Sequence, residues 1–188
     1  KFKGLIDLVK MKALVWRTEE LGAKWDELDI PADMKEQADE YRTKMLEAVC
    51  EFDDSMMERY LDGKTDFTEA EIKAAIRKGV LQVKLFPVLC ASSYKNKGVQ
   101  PMLDAVCDFL PSPVDVPPVK GTELGTTTEV ERKPSDSEPF SALIFKIQTD
   151  PFVGKLCFIR VYSGTLKTGD TVMFSKSRKA ERLGRLLR

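Results

Sequence analysis

Apolar and polar residues alternate in short runs over the first 30 residues of the chain. Leu5, Asp7 and Val9 alternate with apolar neighbours, and the runs "KALVW" and "GAKWDELDI" follow before Pro31. A period of two that is interrupted by turn residues is typical of β-strands. The pattern therefore predicts three strands in this segment.

After Pro31 the apolar residues recur three and four positions apart. This spacing places them on one face of a long α-helix, with Pro31 near its first turn. The residues predicted to line that face are Ala38, Tyr41, Met45, Ala48, Val49 and Phe52.

Two further helices are predicted before residue 83. Asp53 or Asp54 can cap the short helix "SMMERYL", which Gly63 ends. Thr68 and Glu71 have the spacing of a capping box, in which each side chain accepts a hydrogen bond from the other residue's backbone N–H. The helix that this box opens, "EIKAAIRKGVLQ", is predicted to bury Ile72, Ile76 and Val80.

The remaining pattern changes twice. The run "KLFPVLC" predicts a buried strand, and "GVQPMLDAVCDFL" predicts an amphipathic helix that "PSP" ends. Residues 114–137 are rich in Pro, Thr, Ser and charge and have no period, so we interpret them as a linker. From Phe140 short apolar runs alternate with turns that contain Gly, as in a small β-barrel. The predicted fold class is α+β: a mixed α/β part, then the first strands of an incomplete all-β barrel.

Composition excludes several classes of protein. At 43% hydrophobic and 32% charged residues the chain can form a packed core, and no apolar run approaches the roughly 20 residues of a membrane span. Lys plus Arg and Asp plus Glu both number 30, so the chain as a whole does not attract nucleic acid.

With no His and four widely separated cysteines we expect no metal site, and we interpret the cysteines as reduced core residues. We expect that the first residues are not a signal peptide, and because the chain lacks an initiator Met we expect both ends to be cut from a longer polypeptide.

Two short motifs resemble nucleotide-binding signatures but lack a required residue. Gly63, Lys64 and Thr65 match the end of a P-loop, yet the position that requires a further Gly holds Glu58, whose carboxylate repels phosphate. The letters "NKGV" differ from the guanine-reading N-K-x-D because Val99 replaces the Asp, and a valine side chain accepts no hydrogen bond. The sequence therefore predicts neither a phosphate cradle nor a base-reading Asp.

The loop before "NKGV" follows the predicted buried strand, and the ends of such strands are where α/β sheets bind ligands. An ordinary strand-to-helix loop is the alternative. The stretch "FPVLCASSYKNKGVQPMLDAVCDFLPSPVDVP" resembles the end of the GTPase domain of bacterial-type elongation factor G. In that family a G-S-A loop contacts the guanine carbonyl through its backbone and its Ser. The resemblance implies that Ala91, Ser92 and Ser93 form this loop, with Ala91 in place of the family's Gly and Ser93 in place of its Ala.

The resemblance extends over the whole chain. "FKGLIDLVKMKALVW", "IPADMKEQADEYR" and "TEAEIKAAIRKGV" are similar to the G-prime subdomain that is inserted in that GTPase domain. "EPFSALIFKIQTDPFVGKLCFIRVYSGTLKTGDTV" is similar to the start of the family's second domain, a β-barrel. The implied segments are a G-prime insert at 1–83, the last strand and helix of a P-loop GTPase domain at 84–113, the linker at 114–137 and the first barrel strands at 138–188.

By this resemblance the whole protein is a cytoplasmic ribosomal translocase, which uses GTP and magnesium to move tRNA and mRNA through the ribosome. The family's P-loop, switch regions and N-K-x-D have no counterpart in the chain, so we expect the isolated chain to be a non-catalytic binding piece without cofactor, catalytic residue or metal ligand. A GTPase-type release factor, a ribosome-protection protein, and a scaffold that has lost the GTPase are the alternatives.

The resemblance also implies ribosomal partners, namely the large-subunit stalk protein for the G-prime insert and small-subunit RNA for the barrel domain. The tail "SKSRKAERLGRLLR" contains a single acidic residue, Glu181, and its cations can neutralise phosphates. A solvated edge strand whose charges prevent aggregation is the alternative, and an open barrel edge also predicts strand pairing or swapping between copies. The candidate RNA-binding residues are Lys176, Arg178, Lys179, Arg182, Arg185 and Arg188.

Overall fold

The computed structural model describes residues 2–17, 22 and 24–187. These residues belong to two units, Lys1–Pro111 and Ser112–Arg188. Among the described residues no helix has the length and apolar character that crossing a membrane requires.

The first unit begins with a three-stranded antiparallel sheet, which confirms the three predicted strands. β1 (Gly4–Asp7) pairs with β2 (Lys12–Trp16), which also pairs with β3 (Trp25–Leu28). The Asp7 carboxylate stabilises the first turn because it accepts hydrogen bonds from the N–H groups of Val9 and Lys10 at 2.8 and 3.1 Å. The central strand buries Ala13, Leu14 and Trp16.

The long helix α1 (Ala32–Cys50) starts directly after Pro31, as predicted. The predictions that Tyr41 and Ala48 lie on its inward face are wrong, since Tyr41 is 50% exposed and Ala48 is also exposed. The buried stripe is rotated away from Tyr41, whose ring instead lies 5.1 Å from the Lys44 ammonium. The buried residues of α1 are Ala38, Leu46, Val49 and Cys50.

The next two helices, α2 (Asp54–Leu61) and α3 (Glu69–Leu81), have the predicted caps. Asp53 accepts a hydrogen bond from the N–H of Met56 at 3.2 Å at the start of α2. Thr68 and Glu71 form the capping box at the start of α3: the Thr68 N–H donates to the Glu71 carboxylate at 2.7 Å, and the Glu71 N–H donates to the Thr68 hydroxyl oxygen at 3.3 Å. Both helix starts were therefore predictable from local spacing.

One hydrophobic core joins the helices of the first unit. The predicted amphipathic helix α4 (Val99–Phe109) contributes Phe109 to this core. On α3, Ile72 and Ile76 are buried as predicted, and Val80 packs against the core while partly buried. The full core cluster is Leu46, Val49, Cys50, Met56, Phe67, Ile72, Ala75, Ile76 and Phe109.

The predicted buried strand "KLFPVLC" is not a strand in this structure. Residues 84–90 form no ladder with any other described residue, and Phe86 and Val88 are largely exposed. A strand of this kind forms only where neighbouring strands satisfy its backbone N–H and C=O groups. The described residues supply no such neighbour, so the segment is not paired as a strand.

The second unit contains three antiparallel strand pairs. β4 (Val119–Thr122) pairs with β5 (Glu129–Arg132), β6 (Ser141–Asp150) with β7 (Gly154–Ser163), and β8 (Thr171–Met173) with β9 (Ala180–Arg182). None of these sheets closes into a barrel within the described residues, so the predicted α+β class with an incomplete β domain is confirmed. The β4–β5 hairpin lies within 114–137, a segment whose composition predicts no regular structure. The boundaries of the four predicted segments stay a prediction.

Candidate functional site

Residues 92–97 form a closed turn between the unpaired segment and α4. The Ser92 N–H donates to the Lys97 carbonyl oxygen at 2.8 Å, and the Lys97 N–H donates to the Ser92 carbonyl oxygen at 3.1 Å. Between these residues, Ser93–Lys95 make one turn of 3₁₀-helix, and Asn96 has the left-handed conformation with φ of 51°. Asn adopts this conformation more readily than most residues, so the turn closes at low cost.

Gly98 connects this turn to α4. Its φ is +79°, and a Cβ atom at this position would lie 2.9 Å from the Cys90 carbonyl oxygen. Both the backbone conformation and the close packing therefore favour Gly here. Val99, the next residue, is the first residue of α4. Val99, an apolar residue at the start of α4, thus occupies the position that Asp has in an N-K-x-D motif.

The G-K-T tripeptide is a helix-ending turn, as its sequence context predicts. The Gly63 N–H donates to the Tyr60 carbonyl oxygen at 3.0 Å, and the Lys64 N–H donates to the Arg59 carbonyl oxygen at 2.9 Å. The N–H groups that a P-loop directs at phosphate are used here to end α2. This segment therefore cannot cradle a phosphate in this conformation.

The three residues predicted to contact a base offer different groups. Ala91 and Ser93 are exposed and Ser92 is half-buried. The Ser92 N–H is used within the turn, so a backbone contact is left to the N–H groups of Ala91 and Ser93. The Ser92 hydroxyl and the Ser93 N–H form no hydrogen bond with the rest of the described chain. Two donors on one open turn are suited to a carbonyl oxygen.

Below the turn lies a buried polar cluster that the sequence does not predict. Lys97 is 8% exposed, and its ammonium lies 3.5 Å from the Trp16 carbonyl oxygen at the end of β2. The side-chain amide of Gln100 donates to the Gly22 carbonyl oxygen at 3.0 Å. We call Trp16, Gly22, Lys97 and Gln100 the Lys97 cluster. A Lys in a polar loop ordinarily points to solvent, so no local signal indicates this burial.

Three of the candidate RNA-binding residues lie together in the turn between β8 and β9. Lys176, Arg178 and Lys179 are all exposed there. The turn is closed by hydrogen bonds between the backbones of Phe174 and residues 178 and 179, at 2.8 and 2.9 Å. We call these three cations the basic turn.

The other candidates lie beyond the basic turn. Arg182 is on β9, and its Nε donates to the Gly169 carbonyl oxygen at 3.2 Å. Arg185 follows β9 and is exposed. Arg188 lies outside the described residues. The structure therefore groups only the basic turn into one local patch.

The cysteines and acidic residues suggest no metal centre in the part of the chain that the structure describes, where no group of three or more potential ligands is arranged around one point. Cys50 is buried, and burial raises the pKa of its thiol. Cys90, Cys107 and Cys157 are exposed, so their interpretation as core residues is wrong. Each has an exposed apolar residue close by in the chain, namely Val88, Leu103 and Phe158 in turn.

Comparison with known proteins finds similarity both to a family model and to solved structures. Residues 139–188, which contain β6 to β9, match the family model described as Elongation factor G domain 2. Over 97% of its length the chain is similar to a protein of known crystal structure from Thermus thermophilus, with a TM-score of 0.70 and 30% sequence identity. The chain covers 24% of that protein's chain. These matches support a fragment of elongation-factor-G type.

Proposed function

We propose that the chain is part of a ribosomal translocase, a cytoplasmic GTPase that couples GTP hydrolysis to the movement of tRNA and mRNA. The observation that carries this proposal is the match of residues 139–188 to domain 2 of elongation factor G. The similarity to the Thermus thermophilus protein, at 30% identity over nearly the whole chain, adds support for the first unit.

In this proposal Ala91, Ser92 and Ser93 are the last loop of a guanine site. The Ser92 hydroxyl and the Ser93 N–H donate to the guanine carbonyl oxygen, and the small side chain of Ala91 lets the base approach the backbone. The open position of Ala91 and Ser93 supports this role, because it leaves space beside the turn for a planar ring. An oxygen acceptor on the ligand would satisfy both free donors.

GTP, GDP and magnesium belong to the whole protein in this proposal. The described residues offer donors for a base, but no phosphate cradle and no group of metal-binding side chains. Phosphoryl transfer needs both, together with a group that orients water. Other parts of the protein therefore supply them, and the isolated chain is a binding piece without catalytic activity.

Two ribosomal partners complete the proposal. Small-subunit RNA is the partner of the basic turn, whose exposed cations can replace counterions on phosphates. The large-subunit stalk protein is the partner of residues 1–83.

The test of the guanine site is the Ser92→Ala variant of the full-length protein. Loss of one hydrogen bond costs about 1 kcal/mol, so the Kd for GDP should rise roughly fivefold in isothermal titration calorimetry. Ser55→Ala, at an exposed position on α2, is the control whose Kd should equal that of the wild type. A rise below about twofold in Ser92→Ala would refute the side-chain assignment. A wild-type protein that neither binds GDP nor hydrolyses GTP with ribosomes would refute the GTPase and favour the scaffold.

A further inference from the structure

The Lys97 cluster connects the 92–97 turn to the three-stranded sheet, which is distant in sequence. Lys97 and Trp16 are 81 residues apart, and Gln100 and Gly22 are 78 residues apart. A backbone contact adds to these bonds, because a Cβ atom on Gly22 would lie 2.1 Å from the Asn96 carbonyl oxygen. Trp16, at the end of β2, and Gly22, between β2 and β3, therefore contact the turn at Lys97 and Asn96 and the start of α4 at Gln100.

The burial of Lys97 is unusual, because lysine side chains are mostly exposed and this one is 8% exposed. Its ammonium lies 3.5 Å from the Trp16 carbonyl oxygen, at the upper limit of a hydrogen bond. The indole N–H of Trp16 and the side-chain oxygen of Gln100 are also buried without a hydrogen bond in the described part of the chain. Buried polar groups without a hydrogen-bond partner are more common at functional sites than elsewhere in a protein.

We propose that Lys97 and Gln100 are positioning residues, which fix the turn against the sheet and thereby place the donors of Ser92 and Ser93 for the guanine carbonyl. This inference rests on the proposed guanine site. The mechanical link is direct, because the Lys97 backbone exchanges two hydrogen bonds with Ser92. Movement of Lys97 therefore moves Ser92. Through Lys97 and Gln100, the contacts with Trp16 and Gly22 therefore affect how strongly residues 92 and 93 bind the guanine carbonyl oxygen.

The experiment compares two nucleotides and uses the full-length protein. GDP carries the 6-carbonyl oxygen, and 2-aminopurine riboside diphosphate carries hydrogen in its place. In the Lys97→Met and Gln100→Met variants, which keep the length of the side chain and remove its donor, the Kd for GDP should rise about threefold to tenfold. The Kd for the analogue should change less than about twofold, since the group that the turn contacts is missing. Lys95→Met is the matched control, because Lys95 is an exposed lysine on the same turn, and both of its Kd values should equal those of the wild type.

Thermal unfolding separates positioning from stability. Lys97→Met replaces a buried ammonium with an apolar side chain of similar length, so its melting temperature should equal or exceed that of the wild type while its GDP affinity falls. Gly22→Ala, whose Cβ atom would collide with the Asn96 carbonyl oxygen, should reproduce the selective loss for GDP. Equal losses for GDP and the analogue, an unchanged GDP affinity in Lys97→Met and Gln100→Met, or the same loss in Lys95→Met would each overturn the inference. A wild-type protein that binds neither nucleotide would instead refute the proposed guanine site, and this inference with it.

Discussion

The ammonium of Lys73 on α3 lies 2.9 Å from a carboxylate oxygen of Asp108 on α4, and this ion pair joins the two helices. Glu69 binds the same ammonium at 2.8 Å, and hydrogen bonds to Glu69 and then Asp108 raise the pKa of Lys73. One turn further along α3, a guanidinium nitrogen of Arg77 donates to the Asp108 carbonyl oxygen at 2.9 Å. The C-terminal end of α4, the helix that follows the 92–97 turn, is therefore attached to α3.

Asp108→Asn should lower the free energy of unfolding by about 0.5 kcal/mol, because ion pairs that reach solvent contribute little. The two side chains are 36% and 37% exposed, and Lys73 keeps Glu69 as a partner in the variant. A double-mutant cycle with Lys73→Met, measured by urea unfolding, isolates the coupling, which should shrink in about 1 M salt. A coupling above roughly 2 kcal/mol, or one that salt leaves unchanged, would contradict this prediction.

The features that the sequence predicts correctly depend on residues close together in the chain. Thr68 and Glu71 show the point, because both partners of the capping box and their spacing are present in four consecutive residues. The turn at Gly63 and the sheet β1–β3 likewise depend on short segments. In each case the free energy that selects the structure comes from neighbours along the chain.

The features that the sequence does not predict depend on distant partners. Lys97 is buried, and its ammonium contacts Trp16, which is 81 residues away in the chain, so nothing near Lys97 in the sequence indicates the burial. Phe86 lies in an apolar run that predicts a buried strand, yet a strand also needs neighbours, and the described residues provide none. For the candidate site, the loop residues 91–93 stay a prediction from the resemblance, while the Lys97 cluster behind them required the structure.

Glu71 should make the stability of the first unit depend on acid pH. Its pKa falls from the usual 4.5 to about 2, chiefly because it accepts a hydrogen bond from the Thr68 N–H, then from the Thr68 hydroxyl and the Arg59 guanidinium. Because the folded state has the lower pKa, this carboxylate stabilises the fold above pH 4.5, and the contribution is lost as the pH falls from 4.5 toward 2. As the pH falls from 4.5 toward 2, the melting temperature of Glu71→Gln should therefore decrease less than that of the wild type. Circular dichroism measures both melting temperatures. Parallel curves for the two proteins would show that Glu71 does not carry this dependence.

Val83→Gly should stabilise the protein by about 1 kcal/mol, because valine is strained in the left-handed conformation and Gly is not. Val83 follows Gln82, the C-cap of α3, and has a φ of 57°. Its side chain is 71% exposed, so little packing is lost. The backbone bonds that end the helix, such as the Lys84 N–H to the Gly79 carbonyl oxygen at 3.0 Å, remain available in the variant. Urea unfolding measures the change. Val83→Ala is the matched control, which keeps a Cβ atom and should gain much less; an equal gain in both variants would assign the effect to the exposed apolar side chain.

The basic turn should contribute to the salt dependence of RNA binding. In the full-length protein, replacing Lys176, Arg178 and Lys179 with Gln should reduce the slope of log K against log salt for small-subunit RNA by roughly two to three, since each cation that contacts a phosphate contributes about one. The matched control replaces three exposed lysines elsewhere in the second unit, Lys133, Lys155 and Lys167, and removes the same charge. If both variants reduce the slope equally, net charge and not the basic turn is responsible. If the basic-turn variant keeps the slope of the wild type but aggregates, the three cations protect a strand edge, because charge at an edge opposes pairing between copies.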